Sequence, residues 1–441
     1  QDGYGFRGQT DTSQGRKDSV RYSQEREVIM LFKMAIRNVF RHTRRTLITA
    51  VAIGVGLMFM IMIDSVFAGV ENQSIRNILE TDNSELVVYP AGVFEDRFMF
   101  PLDTLIEDAS ALSAQLEGEY DDVISATPRL RFAVFAIGPE AELFAFGMGI
   151  DPETDPKVFD LQNKIEEGRF LERDGDLVIG AGLAKELKLE LGDYVLIQTK
   201  SRRGVSDVRE YEITGVLNTS NPLINANAVL ITLADAQVIL EAPAAASEIN
   251  LHVKGKPKDT EQLNILGSEI GEDLGGKFEL YTWLNLNAGL FEIAGQKQSV
   301  GYLIGLIVIV IALVGIVNTM LLSIYERIPE LGTMRAMGFS KGNIRWMMLA
   351  EGSVIGFLGG LFGVILGLAV VIPLTEIGMD FTSLMGNFEM PMPMDLHFRG
   401  EYNFGYMAFT FFLGWIISTV VTLIPARKAT KIEPSEALRS T

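Results

Sequence analysis

Four runs without a single charged residue decide what this chain can become: Thr46–Ile63, Gln298–Tyr325, Gly352–Thr375 and Tyr402–Ala426. Each reaches or exceeds the roughly 18–20 residues that a helix needs to cross about 30 Å of hydrocarbon. Soluble cores rarely use four such long charge-free runs. The expected fold is a membrane protein with four transmembrane helices and a large α+β domain inserted between the first and the second.

Charge divides the chain in the same way. Of 56 acidic and 38 basic residues, Ala68–Ser299 holds 40 and 19, so a strongly acidic block sits inside a slightly basic, apolar remainder. Lys33, Arg37, Arg41, Arg44 and Arg45 precede the first run, Arg327, Arg335, Lys341 and Arg345 separate the second from the third, and Arg427, Lys428, Lys431 and Arg439 follow the fourth. Cations collect on the inner side of a membrane. Both termini are therefore expected in the cytoplasm and the acidic block outside.

The expected organisation is a disordered stretch over 1–29, an interfacial helix over 30–45 and spans over 46–67, 299–325, 346–375 and 402–426. The outer domain with helical stalks covers 68–298, a charged cytoplasmic segment 326–345, a short outer loop 376–401 and a cytoplasmic tail 427–441. In the interfacial helix, Leu31, Met34, Ala35, Val39 and Phe40 alternate with cations, a pattern suited to the inner leaflet and its lipid headgroups. Val70, Ser74, Ile75, Ile78 and Leu79 fall on one helical stripe, so the first helix should continue outward as a stalk. Beyond it, "SELVVYP", "ELFAFGMGI", "GDLVIG", "DYVLIQTK", "REYEITGVL" and "EINLHVKG" read as strands. "LIEDASALSAQLEG", "GAGLAKELKLELG", "TLADAQVILEA" and "DTEQLNILGSEIGEDLG" read as helices, with one of two subdomains over about 175–242.

The spans are rich in glycine: Gly301 and Gly305 in the second, Gly352, Gly356 and Gly360 in the third, with Gly359, Gly363 and Gly367 one register over. Ala52 and Gly56 make the same pattern in the first. Small residues four apart let helix backbones approach closely, within one chain or between two. Asn318 and Asp64 are the polar residues to place, the first expected in a hydrogen bond between helices and the second at the membrane interface.

No catalytic constellation is present. His42, His252 and His397 are far apart, and no metal-ligand spacing occurs. "GEDLGGKF" approaches a phosphate loop, but Phe278 stands where the magnesium-binding hydroxyl belongs. If the chain moves anything against a gradient, the energy must come from another subunit.

The segment "ERIPELGTMRAMGFSKGNIRWMMLAEG", Glu326 to Gly352, carries the functional signal. Pro329 near a helix start, Glu330 in the first turn, Arg335 in the last and Gly338 as a stop describe a short helix with its dipole complemented at both ends. Leu331, Met334 and Met337 recur every three residues and are expected to present one apolar docking face.

"ERIPELGTMRAMGFSKGNI" resembles the cytoplasmic signature of the FtsX-like permease family, the membrane subunits of MacB/LolCE-type (type VII) ABC transporters. "MAIRNVFRHTRRTLITAVAIGVG" is similar to the family's start, "PARKATKIEPSEALR" to its end, and "GDLVIGAGLAKELKLELGDYVLI…YEITGVL" to its periplasmic core domain. The resemblance implies a non-enzymatic permease in the bacterial inner membrane, working by mechanotransmission. Two copies of an ABC ATPase subunit would bind ATP and Mg, leaving no cofactor in this chain, and a second permease, identical or paralogous, would complete the complex. Lipoprotein release is the first expectation. Export of peptides, toxins or small molecules, regulation of a peptidoglycan hydrolase, and a tethered scaffold without an ATPase are the alternatives. Membrane lipids, a lipoprotein substrate or a periplasmic adaptor are the further partners, and nucleic acid is not. Glu326, Arg327, Glu330, Leu331, Gly332, Met334, Arg335, Met337 and Gly338 are the candidates for ATPase contact.

Overall fold

A computed structural model describes residue 30 and residues 32–41, 43–380 and 397–430. The expectations for 1–29, for most of the loop before the fourth span and for the tail beyond Thr430 lie outside the described residues. The chain divides into two compact units, one holding the apolar helices and the other Val70–Gln296.

Among the described residues, four helices are long and apolar enough to cross a membrane. They are Thr43–Thr81, Ala288–Glu326, Lys341–Glu376 and Phe404–Val421, the last followed by Leu423–Ala429. The break at Thr422 falls where Pro425, lacking an N–H, cannot bond back to Val421. A further helix covers residues 32–41, with Ala35 and Val39 buried and Phe40 turned outward with Lys33 and Arg37.

The third of these helices owes its place to its two rows of glycine. A Cβ on Gly352 would lie 2.0 Å from Thr422 Oγ1, on Gly356 2.7 Å from Ser418 Cβ and on Gly360 2.9 Å from Phe411 Cδ2. That row packs the fourth helix. A Cβ on Gly359, Gly363 or Gly367 would instead meet Ile53, Leu57 or Ile61 of the first helix at 2.8, 2.8 and 2.9 Å. Close backbone approach on two faces makes this helix the hub of the unit. Gly301 and Gly305 seat Phe67 and Met60 in the same way, joining the second helix to the first. In the first helix Gly54 rather than Ala52 is the contact, because Ala52 is exposed while Gly54 faces Phe362 and Gly363.

The second unit is built on one mixed sheet of ten strands. In chain order they are β1 Leu86–Pro90, β2 Val123–Ile137, β3 Glu142–Ile150, β4 Ile165–Gly168, β5 Asp176–Gly180, β6 Tyr194–Lys200, β7 Ser206–Leu217, β8 Ala228–Thr232, β9 Glu248–Val253 and β10 Phe278–Thr282. The spatial order is β10-β1-β9-β2-β3-β8-β5-β7-β4, and β6 bridges β2 and β7. All six expected strands and all four expected helices form, the helices as Ala109–Glu119, Ala181–Leu187, Leu233–Ile239 and Thr260–Asp273.

The longest strand, β2, is not among the six expected ones; its sequence "VISATPRLRFAVFAI" carries Pro128 and two arginines, residues unusual in a central strand. Its first half pairs with β9 and its second with β3 and β6. Val123 and Ala126 belong to one core with Leu86, Leu251 and Ile270. Leu130, Phe132, Val134 and Ala136 belong to another with Leu177, Ile197 and Ile231. The segment 175–242 is thus no separate subdomain, because that second core is completed by β2 and β3.

Candidate functional site

Ile328–Ala336 is helical, with Pro329 in its first turn beside Glu330, and Arg335 in its last. Proline opens a helix well because its missing N–H would have been unbonded there, and the two charges complement the dipole. The helix stops at Gly338, whose φ of +95° is open to glycine without strain. Gly338 N–H donates to the Arg335 carbonyl and Phe339 N–H to that of Met334, both at 3.1 Å. These paired bonds, with Phe339 packed against the same cluster as Met334, form a Schellman stop. Ser340 then accepts from Asn343 N–H at 3.1 Å and starts the next helix at once.

The faces of this helix differ from the expectation in one respect. Leu331, Gly332 and Met334 are buried, and Leu331 and Met334 pack with Ile324, Ile344, Met347, Met348 and Ala426. Met337 is 68% exposed. Residues three apart fall about 60° short of a full helical turn at each step, so Met337 comes round about 120° from Leu331. The outward face is Glu326, Glu330, Thr333, Ala336, Met337 and Gly338.

Beneath the helix lies a charged centre. Arg327 Nη1 donates to Glu351 Oε1 at 3.0 Å, and Arg327 Nε to Glu330 Oε2 at 3.1 Å. Asn38 Nδ2 donates to the same Glu351 oxygen at 2.8 Å. Arg327 and Glu351 are 8% and 4% exposed, so each depends on the other for its charge to be tolerated. The helices of residues 32–41 and 341–376 and the N-cap of the helix 328–336 meet at one carboxylate. Sequence reasoning placed Arg327 and Glu330 in the site but missed Asn38 and Glu351. The signal was present, for Glu351 is the one acidic residue between 331 and 375.

The two intramembrane candidates separate. Asp64 is 5% exposed and accepts from Asn403 Nδ2 at 3.0 Å and from the Tyr302 hydroxyl at 3.5 Å, tying three helices together. Asn318 lies on the exposed face of the second span instead of between helices of this chain.

In the second unit, the end of the first long helix is gripped by β2. Arg129, fully buried, pairs with both oxygens of Asp155 at 2.7 and 3.0 Å and lies 3.3 Å over the Phe159 ring. Its Nη1 reaches the carbonyls of Thr81 and Asp82 at 3.4 and 3.2 Å. Arg131 donates to the Asp82 carbonyl at 2.7 Å, to Asp82 Oδ1 at 2.8 Å and to Glu248 Oε1 at 2.9 Å. Two guanidiniums thus satisfy carbonyls that a helix end leaves open, at the end where its dipole is negative. Tyr89 donates to the other Glu248 oxygen at 2.8 Å, and burial together with that carboxylate pushes the phenol well above its ordinary pKa.

Comparison with known proteins adds two family matches. A model of the MacB-like periplasmic core domain matches residues 46–270, and one of the FtsX-like permease C-terminal region matches 302–434. The lipoprotein-releasing system transmembrane protein LolC of Neisseria meningitidis is 22% identical over 301 residues, 66% of this chain and 72% of that protein. The macrolide export ATP-binding/permease protein MacB of Neisseria gonorrhoeae is 23% identical over 428 residues, 93% of this chain but 61% of its own length. The crystal structure of the periplasmic region of MacB from Actinobacillus actinomycetemcomitans covers half of this chain at 16% identity, with a TM-score of 0.34.

Proposed function

The chain belongs to the ABC transporter permeases that join a MacB-like periplasmic core domain to an FtsX-like C-terminal region, and from that premise we propose that it converts ATP hydrolysis in a separate subunit into movement of its outer domain. In this reading the termini and the Ile328–Ala336 helix face the cytoplasm of a bacterial inner membrane. Two ATPase subunits bind ATP and Mg and dock there, and a second permease, identical or paralogous, completes the pair.

The observation that carries the proposal is the shared carboxylate of Glu351. The outward face, with Glu326, Glu330 and Met337, meets the ATPase, and Arg335 and Gly338 flank that contact. Leu331, Gly332 and Met334 serve from beneath by fixing the helix to the third span. A push on the helix is then delivered through Arg327 to Glu351 and through Glu351 to Asn38. The helices Thr43–Thr81 and Ala288–Glu326 each run 39 residues, about 58 Å at 1.5 Å per residue. An unbroken helix is suited to carrying displacement over such a distance, whereas a flexible loop is not.

The substrate favoured is a lipoprotein, released from the outer face of the membrane, in keeping with the likeness to LolC. The match to MacB over 93% of this chain favours export of a smaller molecule as the second reading. The test has two stages. The chain is co-purified with candidate ABC ATPases, and the complex in proteoliposomes is then assayed for ATP-dependent transfer of a labelled lipoprotein to a soluble acceptor. Absence of any ATPase in the pull-down defeats the coupling proposal, while an active complex that leaves lipoprotein in place defeats the substrate.

A further inference from the structure

The second unit encloses a cavity of about 390 Å³ beside the end of its stalk helix. Phe98, Phe100, Phe144, Phe146 and Leu223 form much of its wall, and Asp82, Arg131 and Glu248 contribute polar lining. The volume lies within the roughly 300–1,000 Å³ usual for small-molecule sites. It is far too small for a helix, which is about 10–12 Å across with its side chains. Phe98, Phe144 and Leu223 remain 71%, 55% and 60% exposed. Large apolar side chains gathered at one opening, on a domain otherwise crowded with charge, mark a binding surface and not ordinary scatter. The rim is ordered, since Arg97 donates to the Phe94 carbonyl and lays its guanidinium 4.3 Å over the Phe98 ring.

The polar lining narrows the ligand. Arg131 commits three of its five N–H donors, two to Asp82 and one to Glu248, and so keeps donors for a ligand oxygen. Two carboxylates already surround that guanidinium, so a neutral acceptor suits it better than a further anion. We propose that this cavity binds a single hydrocarbon chain joined to an ester or amide carbonyl, with the chain against the phenyl rings and the carbonyl at Arg131. Any occupant would touch the same guanidinium that holds Asp82 at the end of the stalk helix. The site stands on this geometry alone and does not depend on an ATP-driven partner.

The test uses the full chain in lipid nanodiscs with a photoactivatable fatty-acyl amide bearing a diazirine, and maps adducts by mass spectrometry. Adducts are expected on the peptides around Phe98 and Phe144. They should fall about tenfold in Phe98→Asp and Phe144→Asp, each of which places a charge at an apolar contact without disturbing a buried residue. Labelling of the membrane helices serves as the internal standard and should not change. Adducts confined to those helices overturn the proposal. So do cavity adducts indifferent to both substitutions, or cavity labelling by a photoreactive phenylalanine peptide and not by the acyl amide.

Discussion

Arg327 and Glu351 stand 24 positions apart in the chain and 3.0 Å apart in the fold, both almost wholly buried. Removing Glu351 leaves the buried Arg327 guanidinium with only the half-exposed Glu330 carboxylate to answer its charge. Glu351→Ala should therefore cost roughly 3–5 kcal/mol, while the double replacement Arg327→Met with Glu351→Met should cost much less. Thermal unfolding of the purified chain in one detergent measures both. Equal melting temperatures for Glu351→Ala and the unmodified chain would show that the pair does not hold the helix.

The buried and exposed faces of the short helix should respond differently. Met337→Asp alters an exposed position and is expected to abolish co-purification of the ATPase with the melting temperature unchanged. Leu331→Asp buries a charge among Ile344 and Met347 and should lower the melting temperature first, by an amount that reflects several kcal/mol. A Met337→Asp chain that still captures its ATPase would move the contact elsewhere.

Gly363 and Gly356 test the hub. Leucine at either position must displace Leu57 or Ser418, and overpacking of this kind costs about 1–3 kcal/mol or more. Gly315 has nothing within 4 Å of its missing Cβ and is the control. If Gly315→Leu and Gly363→Leu are destabilised equally, the packing account fails.

His252 supplies a pH dependence. The Glu85 carboxylate, 3.1 Å from its Nδ1, raises the imidazole pKa against the opposing effect of burial. A raised folded-state value means that the stabilisation is complete below the ordinary histidine value, about pH 6.5, and is lost as pH climbs through the folded one. The stability advantage of the unmodified chain over His252→Gln should accordingly shrink as pH rises above about 6.5 and through the raised folded value. The effect is small, because the ring is more than one-third exposed and solvent screens the pair. An advantage that grows with pH would contradict the assignment.

Much of this architecture was legible because it follows from one-dimensional patterns. The four uncharged runs, the strand alternation in "ELFAFGMGI" and the Pro329–Gly338 frame each encode a local rule, and each appears where the rule puts it. The glycines of the third span were visible too, although only the fold shows that Gly356 serves the fourth helix and Gly363 the first. What escaped was partnership across distance. Asn38 and Glu351 are 313 positions apart, and nothing near either residue announces the other. Strand β2 escaped for a related reason. Its arginines are tolerated in mid-sheet because the end of a helix and three carboxylates wait for them, and that compensation is invisible from its own fifteen residues.

Strand β2 also governs how the outer domain must come apart. Val123 and Ala126 are needed by one apolar cluster and Leu130 to Ala136 by its neighbour, so neither cluster can be extracted with its full complement of side chains. A cut between residues 137 and 142 would not yield two self-sufficient halves, and a shear applied to one end of this crossbeam is felt by both clusters at once.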